Sequence, residues 1–394
     1  MSAPLSVGVV CFPSLGGSGI VATELAVGLS LRGHRVHVIA SAPPSRTLPT
    51  CERLFLHEVA VGSHPALTDP PYAIALASSL VEIATDHRLD VVHVHYAVPH
   101  AASAYLARQV MGAAAPRIVT TLHGTDVTQL GNDPSYRPIT RFTVGRSDGI
   151  TVPSEFLKAE TYRTLGLPAE LPIEVIPNFV DTEHFTPAEH RDRGRFDPIF
   201  ESAGGDPADR GAPVLFHVSS FRPIKRVTDL VEVLARVRRH ARVRLMLIGD
   251  GPERQRLMSR ARELDVNRSI CLVGTHAEFV NYLRHADAFV LPSESESFGV
   301  AALEALSCGV PVLAYRVGGL PEVVTPSVGR LVEPFDVDAL AAAALELVSD
   351  EGRRAMLGRA ARALATARFR RESAVERYEA HYRRVLGAAP REAP

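Results

Sequence analysis

The chain carries almost no net charge: 43 Lys and Arg against 44 Asp and Glu leave −1 at pH 7 over 394 residues. Without a field of one sign, nothing concentrates nucleic acid or anionic lipid at its surface, and neither is expected as a partner. Cysteine is scarce as well. Cys11, Cys51, Cys271 and Cys308 are the only four, far apart and without a C-x-x-C pair. That spacing argues against a disulfide framework or a cysteine zinc site and predicts reduced thiols buried as small apolar residues. No uncharged apolar run reaches the ~18 residues of a membrane helix. The opening, MSAPLSVGVVCFP, lacks the basic stretch of a secretory leader and already reads as a strand, so a cytoplasmic protein is expected. Several motifs are missing too. The first Gly-rich turn is not a spaced G-x-G-x-x-G, no P-loop lysine follows it, and no D-x-D stands in a loop placed to carry Mg²⁺. His93, His95 and His100 fall close together, but no carboxylate cluster accompanies them, so metal ligation is not expected.

What is present is the make-up of a globular protein, 46% hydrophobic and 22% charged, with length for two ordinary domains. Val7–Phe12 reads as a strand running into Pro13-Ser-Leu-Gly-Gly-Ser-Gly19, then a helix from about Ile20 to Leu31. Such a turn lets backbone N–H groups approach an anion, although a tight turn without ligand reads equally well. Strands follow at Arg35–Ala40, Leu54–Val61, Val91–His95, Arg117–Leu122 and Ile173–Ile176, with a helix over Tyr72–His87. Residues 186–212 are rich in Asp, Arg, Gly and Pro without periodicity, the composition of a linker or surface loop. The alternation then restarts with strands at Val214–Ser219, Val243–Gly249, Ser269–Val273, Ala288–Leu291 and Val312–Ala314. Three final helices, about Val337–Ser349, Glu351–Ala367 and Glu372–Leu386, carry Arg-rich faces expected to be solvated. The pattern predicts an α/β protein of two doubly wound, Rossmann-like domains (1–185 and 213–366) facing across a cleft. A terminal helix over 367–394 is expected to return to the first domain.

The stretch around which the rest is arranged is Ser293–Pro311, SESESFGVAALEALSCGVP. A buried strand precedes it, Phe298-Gly299 opens an Ala/Leu helix, and Gly309 with Pro311 stops that helix. Glu296 then sits in the loop beyond the strand's carboxyl end, and Glu304 one to two turns into the helix. A helix amino terminus at that edge suits an anion, and two carboxylates beside it suit hydroxyls. Taken singly, each Glu reads as a solvated surface residue. Arg222 and Lys225, in Ser219-Ser-Phe-Arg-Pro-Ile-Lys-Arg226, read either as two cations for a diphosphate or as a solvated helix start. His123, in the His-Gly-Thr-Asp126 turn, reads by itself as a structural hydrogen-bonding histidine. Arg141 lies in a helix after that turn and could face the cleft or pair at the surface with Asp133 or Asp148.

Glu296-Ser-Phe-Gly with Glu304 eight positions on resembles the E-x7-E signature of the retaining family 4 glycosyltransferases of GT-B fold. The resemblance covers nearly the whole chain. It implies that Glu296 holds the donor sugar, Glu304 the ribose of the nucleotide, and Phe298 and Gly299 the donor. Arg222 and Lys225 are implied at the diphosphate and His123 at the sugar, with no metal or other cofactor. The commonest family pattern puts an Arg five residues before the Lys; that slot is Ser220 here, and Arg222 is expected to take its place. The strings FPSLGGSGIVATELA, HVHYAVPHAASAYLA, TTLHGTD and FRPIKRV resemble more narrowly the members that move GlcNAc from UDP-GlcNAc to the hydroxyl of L-malate in bacillithiol biosynthesis. That implies Gly17, Ser18, Gly19, Tyr96, Thr121 and Arg141 around the acceptor, Gly17 also reaching the donor. The competing acceptor is inositol phosphate, as in mycothiol synthesis. A phosphate wants several cations, and between Arg53 and Arg88 there is no Lys or Arg. A non-catalytic nucleotide-sugar sensor is the third reading, and the sequence leaves homo-oligomerisation open.

Overall fold

Short runs of Val, Ile and Leu bounded by turns form thirteen strands among the described residues of the computed structural model, which are 3–13, 17–44, 48–62, 71–276 and 278–389. The chain divides into two units, Met1–Asn178 with Arg371–Pro394, and Phe179–Arg370. In the first unit β1 (Ser6–Val10), β2 (Arg35–Ala40), β3 (Leu54–Glu58), β4 (Val91–His95), β5 (Arg117–Thr121), β6 (Gly149–Val152) and β7 (Glu174–Val175) form one sheet. Its order is β3-β2-β1-β4-β5-β6-β7, and every pairing is parallel. The order turns about β1 and β4, which is the doubly wound arrangement. β6 and the Glu155–Leu165 helix go beyond the elements expected; Gly149-Ile-Thr-Val152 is too short a run to stand out.

The second unit repeats the arrangement with six parallel strands. These are β8 (Val214–Val218), β9 (Arg244–Ile248), β10 (Ile270–Gly274), β11 (Ala288–Leu291), β12 (Val312–Tyr315) and β13 (Gly329–Val332), in the order β10-β9-β8-β11-β12-β13. Alternation along each strand divides the core between the two faces. Leu215, Leu245 and Leu247 pack on one side and Phe216, Met246 and Ile248 on the other.

Three expectations need correction. Residues 186–212 are not a linker. They form short helical turns whose Phe196 and Phe200 are buried in the second unit's core, with Arg193 on the buried Asp287 at 2.6 Å. The two aromatics are isolated in a polar stretch, so no period reveals them. The boundary falls at Asn178, not near 185, because Val180 bridges to Arg370 and Phe185 packs on Phe279 in the second unit. The Arg-rich faces of the late helices are not wholly solvated either. Arg354 is buried, 3.2 Å from Asp287, and Arg362 donates to the carbonyls of Thr182, Phe185 and Ser307. The last helix, Arg371–Gly387, belongs to the first unit, where Tyr378 and Tyr382 are fully buried and Arg371 meets Glu24 at 2.8 Å.

Candidate active site

In the second unit the Glu-rich loop and the basic loop are brought together. β11 ends at Leu291, and the chain runs through Ser293 and Glu296 into the Val300–Ser307 helix, with Gly299 left-handed at its start (φ 94°). Beside it, β8 leads to Ser219 and a single helical turn, Pro223–Lys225. Lys225 Nζ lies 2.6 Å from Glu296 Oε1, their side chains 18% and 12% exposed. A pair so sheltered from water holds both charges in place before any ligand arrives. Arg222 is exposed, donates Nε to Ser220 Oγ at 3.2 Å, and forms no ion pair with a described residue. Glu304 is 4% exposed on the helix's second turn, which removes the reading of a solvated surface carboxylate. Phe298 is the exception in this group. Its ring is 1% exposed and packs edge-on against Phe369 at 5.8 Å, so its side chain is core and only its backbone can face a ligand.

Residues that the sequence reading did not single out brace these loops. Gly318 (φ 55°) lies so close under the Glu296 carbonyl that a Cβ would collide with it, and Gly319 N–H donates to that carbonyl at 2.9 Å. Gly249 (φ 133°) passes equally close to the Ser219 carbonyl, and Phe221 N–H donates to Asp250 O at 2.8 Å. The Gly-Gly before Leu320-Pro321 and the Gly-Asp-Gly after β9 were the available signals. His217 sits behind the basic loop, 2.8 Å from the Val290 carbonyl through Nδ1 and 2.7 Å from Ser219 Oγ through Nε2. A carbonyl only accepts, so Nδ1 carries the proton and Nε2 accepts from Ser219. Burial pushes the imidazole down to about 4, which keeps it neutral.

The first unit gathers neutral polar groups instead. Ser14, Leu15 and Gly16 of the Gly-rich turn lie outside the described residues. Gly17, exposed, opens the Gly17–Leu31 helix, followed by half-buried Ser18 and buried Gly19, whose carbonyl accepts from Thr23 Oγ1 at 2.8 Å. Tyr96 follows β4 with a left-handed backbone (φ 88°), a conformation that costs on the order of 1–3 kcal/mol in a non-glycine residue. Its ring lies 5.3 Å from both Phe12 and His123. His123 is fixed through its backbone, since Asp126, fully buried, accepts from the N–H groups of His123 (3.0 Å) and Gly124 (2.9 Å). Burial raises the Asp126 carboxyl to about 6 against the pull of those N–H groups. His123 Nε2 meets His95 Nδ1 at 2.8 Å, and burial pushes His123 down to about 3. At neutral pH it offers a neutral ring.

Two acceptor assignments fare differently. Thr121 is 1% exposed, and its hydroxyl meets His93 Nε2 at 2.6 Å and Thr151 Oγ1 at 2.5 Å, while His93 Nδ1 meets Tyr382 OH at 2.7 Å. Its hydrogen-bonding capacity is used under the C-terminal helix, so the side chain holds the sheet to that helix and is not presented to an acceptor. Arg141 lies exposed in the Arg137–Arg146 helix, one guanidinium nitrogen beside Gly166, and makes no ion pair with a described residue. The surface partners considered for it are engaged elsewhere: Asp148 with Arg108 and Arg117, Asp133 with Ser135 N–H. His93, His95 and His100 bond to Tyr382, His123 and the His95 carbonyl and share no carboxylate. Cys11, Cys271 and Cys308 are buried and burial raises their thiols, as inert cysteines require. No described helix is long and apolar enough to cross a membrane.

Residues 15–184 match the model of Glycosyltransferase Family 4 and residues 202–364 that of Glycosyl transferases group 1. The chain is 38% identical to the N-acetyl-alpha-D-glucosaminyl L-malate synthase of Bacillus anthracis, covering 97% of both chains. It is 30% identical to a D-inositol 3-phosphate glycosyltransferase of Saccharomonospora viridis over 88% of this chain and 84% of that one. Among solved structures, Anabaena HepE in complex with UDP and glucose superposes with a TM-score of 0.77 at 19% identity, covering 95% of this chain and 98% of that one. The doubled parallel-sheet architecture and the full-length sequence relationship place the chain in one family: it belongs to the family 4, group 1 glycosyltransferases of GT-B fold.

Proposed function

We propose that this glycosyltransferase moves GlcNAc from UDP-GlcNAc to the hydroxyl of L-malate with retention of the α configuration, the first step of bacillithiol biosynthesis. The observation that carries the reading is the 38% identity across 97% of the Bacillus anthracis synthase. Glu304 accepts from the ribose hydroxyls and Glu296 from the sugar hydroxyls. Arg222, Lys225 and the helix start at Gly299 offset the charge that builds on the diphosphate as the sugar bond breaks. Lys225 suits the task because the Glu296 contact holds its ammonium in the loop. Neutral His123 hydrogen-bonds a sugar hydroxyl, and Tyr96 and the Gly17–Gly19 helix start line the acceptor side, with Arg141 for a malate carboxylate.

In the reaction, the bond from the anomeric carbon to the β-phosphate oxygen breaks. The malate oxygen bonds the same carbon on the same face, and the hydroxyl proton passes to the departing β-phosphate. Side-chain cations do the work of a metal, and turnover is expected to survive EDTA. The test is a mass-spectrometric screen of UDP-GlcNAc against malate, inositol phosphate and glucose. GlcNAc-malate as the dominant product supports the assignment. GlcNAc-inositol phosphate would transfer it to the acceptor class of the Saccharomonospora relative, and no transfer to any acceptor would favour a sensor.

A further inference from the structure

We infer that His37, His57 and His87 form a binding site for a first-row transition-metal ion such as Zn²⁺, on the edge of the first unit's sheet and apart from the transfer chemistry. Each ring offers one nitrogen, and the three lie within 4.8 Å of one another. They come from three elements: His37 from β2, His57 from the edge strand β3, and His87 from the last turn of the Tyr72–His87 helix. That helix ends four residues before β4 begins, while His37 is the third residue of β2 and His57 the fourth of β3, so the cluster lies along the edge of the sheet. The groups assigned to the sugar and the acceptor gather at the carboxyl ends.

The chemistry of the trio is unusual for a merely structural cluster. His37 is fully buried, its Nδ1 is 2.8 Å from His57 Nε2, and its Nε2 has no hydrogen-bond partner. The three rings have no carboxylate among them, so the cluster has no anion to neutralise a bound proton. Three imidazole ligands suit Zn²⁺, Co²⁺, Ni²⁺ or Cu²⁺ and not Mg²⁺ or Ca²⁺, which take oxygen.

The geometry allows the ion with a small adjustment. Tetrahedral Zn–N bonds of about 2.0–2.1 Å put ligand nitrogens about 3.3 Å apart. The 2.8 Å pair must part slightly, the ion replacing the proton the two rings share. The His37 and His87 rings are stacked, centroids 4.2 Å apart, so His87 must turn about its side-chain torsion to converge. Both His57 and His87 are half-buried, which leaves that movement, an entry path and a fourth position for water. A bound ion would tie the edge strand and the helix end to the interior of the sheet.

The test uses the full-length protein, treated with EDTA, desalted and titrated calorimetrically with ZnSO₄, with thermal unfolding followed in parallel. One Zn²⁺ per chain is expected, with a rise in Tm, since an ion bound only by the folded state stabilises it. His57→Ala and His87→Ala, both outside the core, should each weaken binding about 100-fold or more and abolish the Tm rise, with UDP binding unchanged to show that the variants fold. No stoichiometric Zn²⁺ in the wild type, or equal Zn²⁺ affinity in both variants, would overturn the site and leave the transfer assignment untouched.

Discussion

The two units share one topology and hold their polar groups in opposite ways. In the second, charges do the holding: Lys225 is locked to Glu296, and Glu304 is sunk in the helix that follows. In the first, uncharged imidazoles do it, with His95 on His123, His93 on Thr121 and Tyr382, and Asp126 gripping backbone N–H groups. The contrast matches the two substrates proposed for them. A nucleotide diphosphate suits fixed charge, whereas a small polyhydroxy or dicarboxylate acceptor needs shape and hydrogen bonds, with Arg141 proposed to supply the charge.

Changes that break the second unit's arrangement should have the largest effects. Gly318→Val places a side chain against the Glu296 carbonyl at a positive φ, and the loop must move. Transfer should fall by about 10³-fold or more while circular dichroism stays native, since a 1 Å displacement near the chemistry can already cost 10². Lys225→Ala removes a cation proposed for the leaving diphosphate and strands Glu296. A loss of about 10²–10³ in kcat is expected from steady-state kinetics, and near-wild-type turnover would return Lys225 to a structural role.

In the first unit, Thr121→Val should act on stability and not on the acceptor. Leaving His93 and Thr151 without their shared hydroxyl costs about 1–3 kcal/mol in a denaturant titration, with the malate KM unchanged. Arg141→Lys reverses that signature: unchanged stability and a raised malate KM, because lysine cannot offer a planar two-pronged donor.

A smaller, graded difference should appear with pH. In the first unit His37 and His123 are pushed down to about 3 and His100 to about 4, with His34, His57, His93 and His95 lowered as well; in the second, the lowered histidines are His217, at about 4, and His285. A histidine whose folded pKa is depressed contributes stability that is present above its unfolded value near 6.5 and lost as pH falls towards its folded one. Asp126, raised to about 6, runs the other way, contributing stability below about 4 that is lost as pH rises through 6. The histidines outnumber it, so the first unit should loosen first between pH 6.5 and 4. Hydrogen exchange corrected for intrinsic rate, compared at pH 7 and pH 5, would show it as faster exchange in β1–β7 than in β8–β13.

How legible each unit was follows from the same contrast. The strands and the Glu296–Glu304 stretch were readable because strand, loop and helix follow one another within twenty residues, and the apolar runs of parallel strands need no partner to be recognised. Gly318 was not readable, because its role comes from a backbone approaching from another loop. Thr121 was misplaced for a related reason. Alternation on β5 says that Thr120 and Thr121 face opposite ways, but only the C-terminal helix, 250 residues on, decides which face is covered. Phe196 and Phe200 were lost to composition, being two apolar residues in a charged stretch.

The division of labour between the two carboxylates is the centre of the account, and calorimetric titration of UDP tests it most directly. Glu304→Ala should weaken UDP about 10- to 100-fold, the loss of a charge-assisted hydrogen bond worth roughly 1.5–3 kcal/mol, while Glu296→Ala binds UDP like the wild type and fails in transfer. Equal loss of UDP affinity in both variants would contradict it.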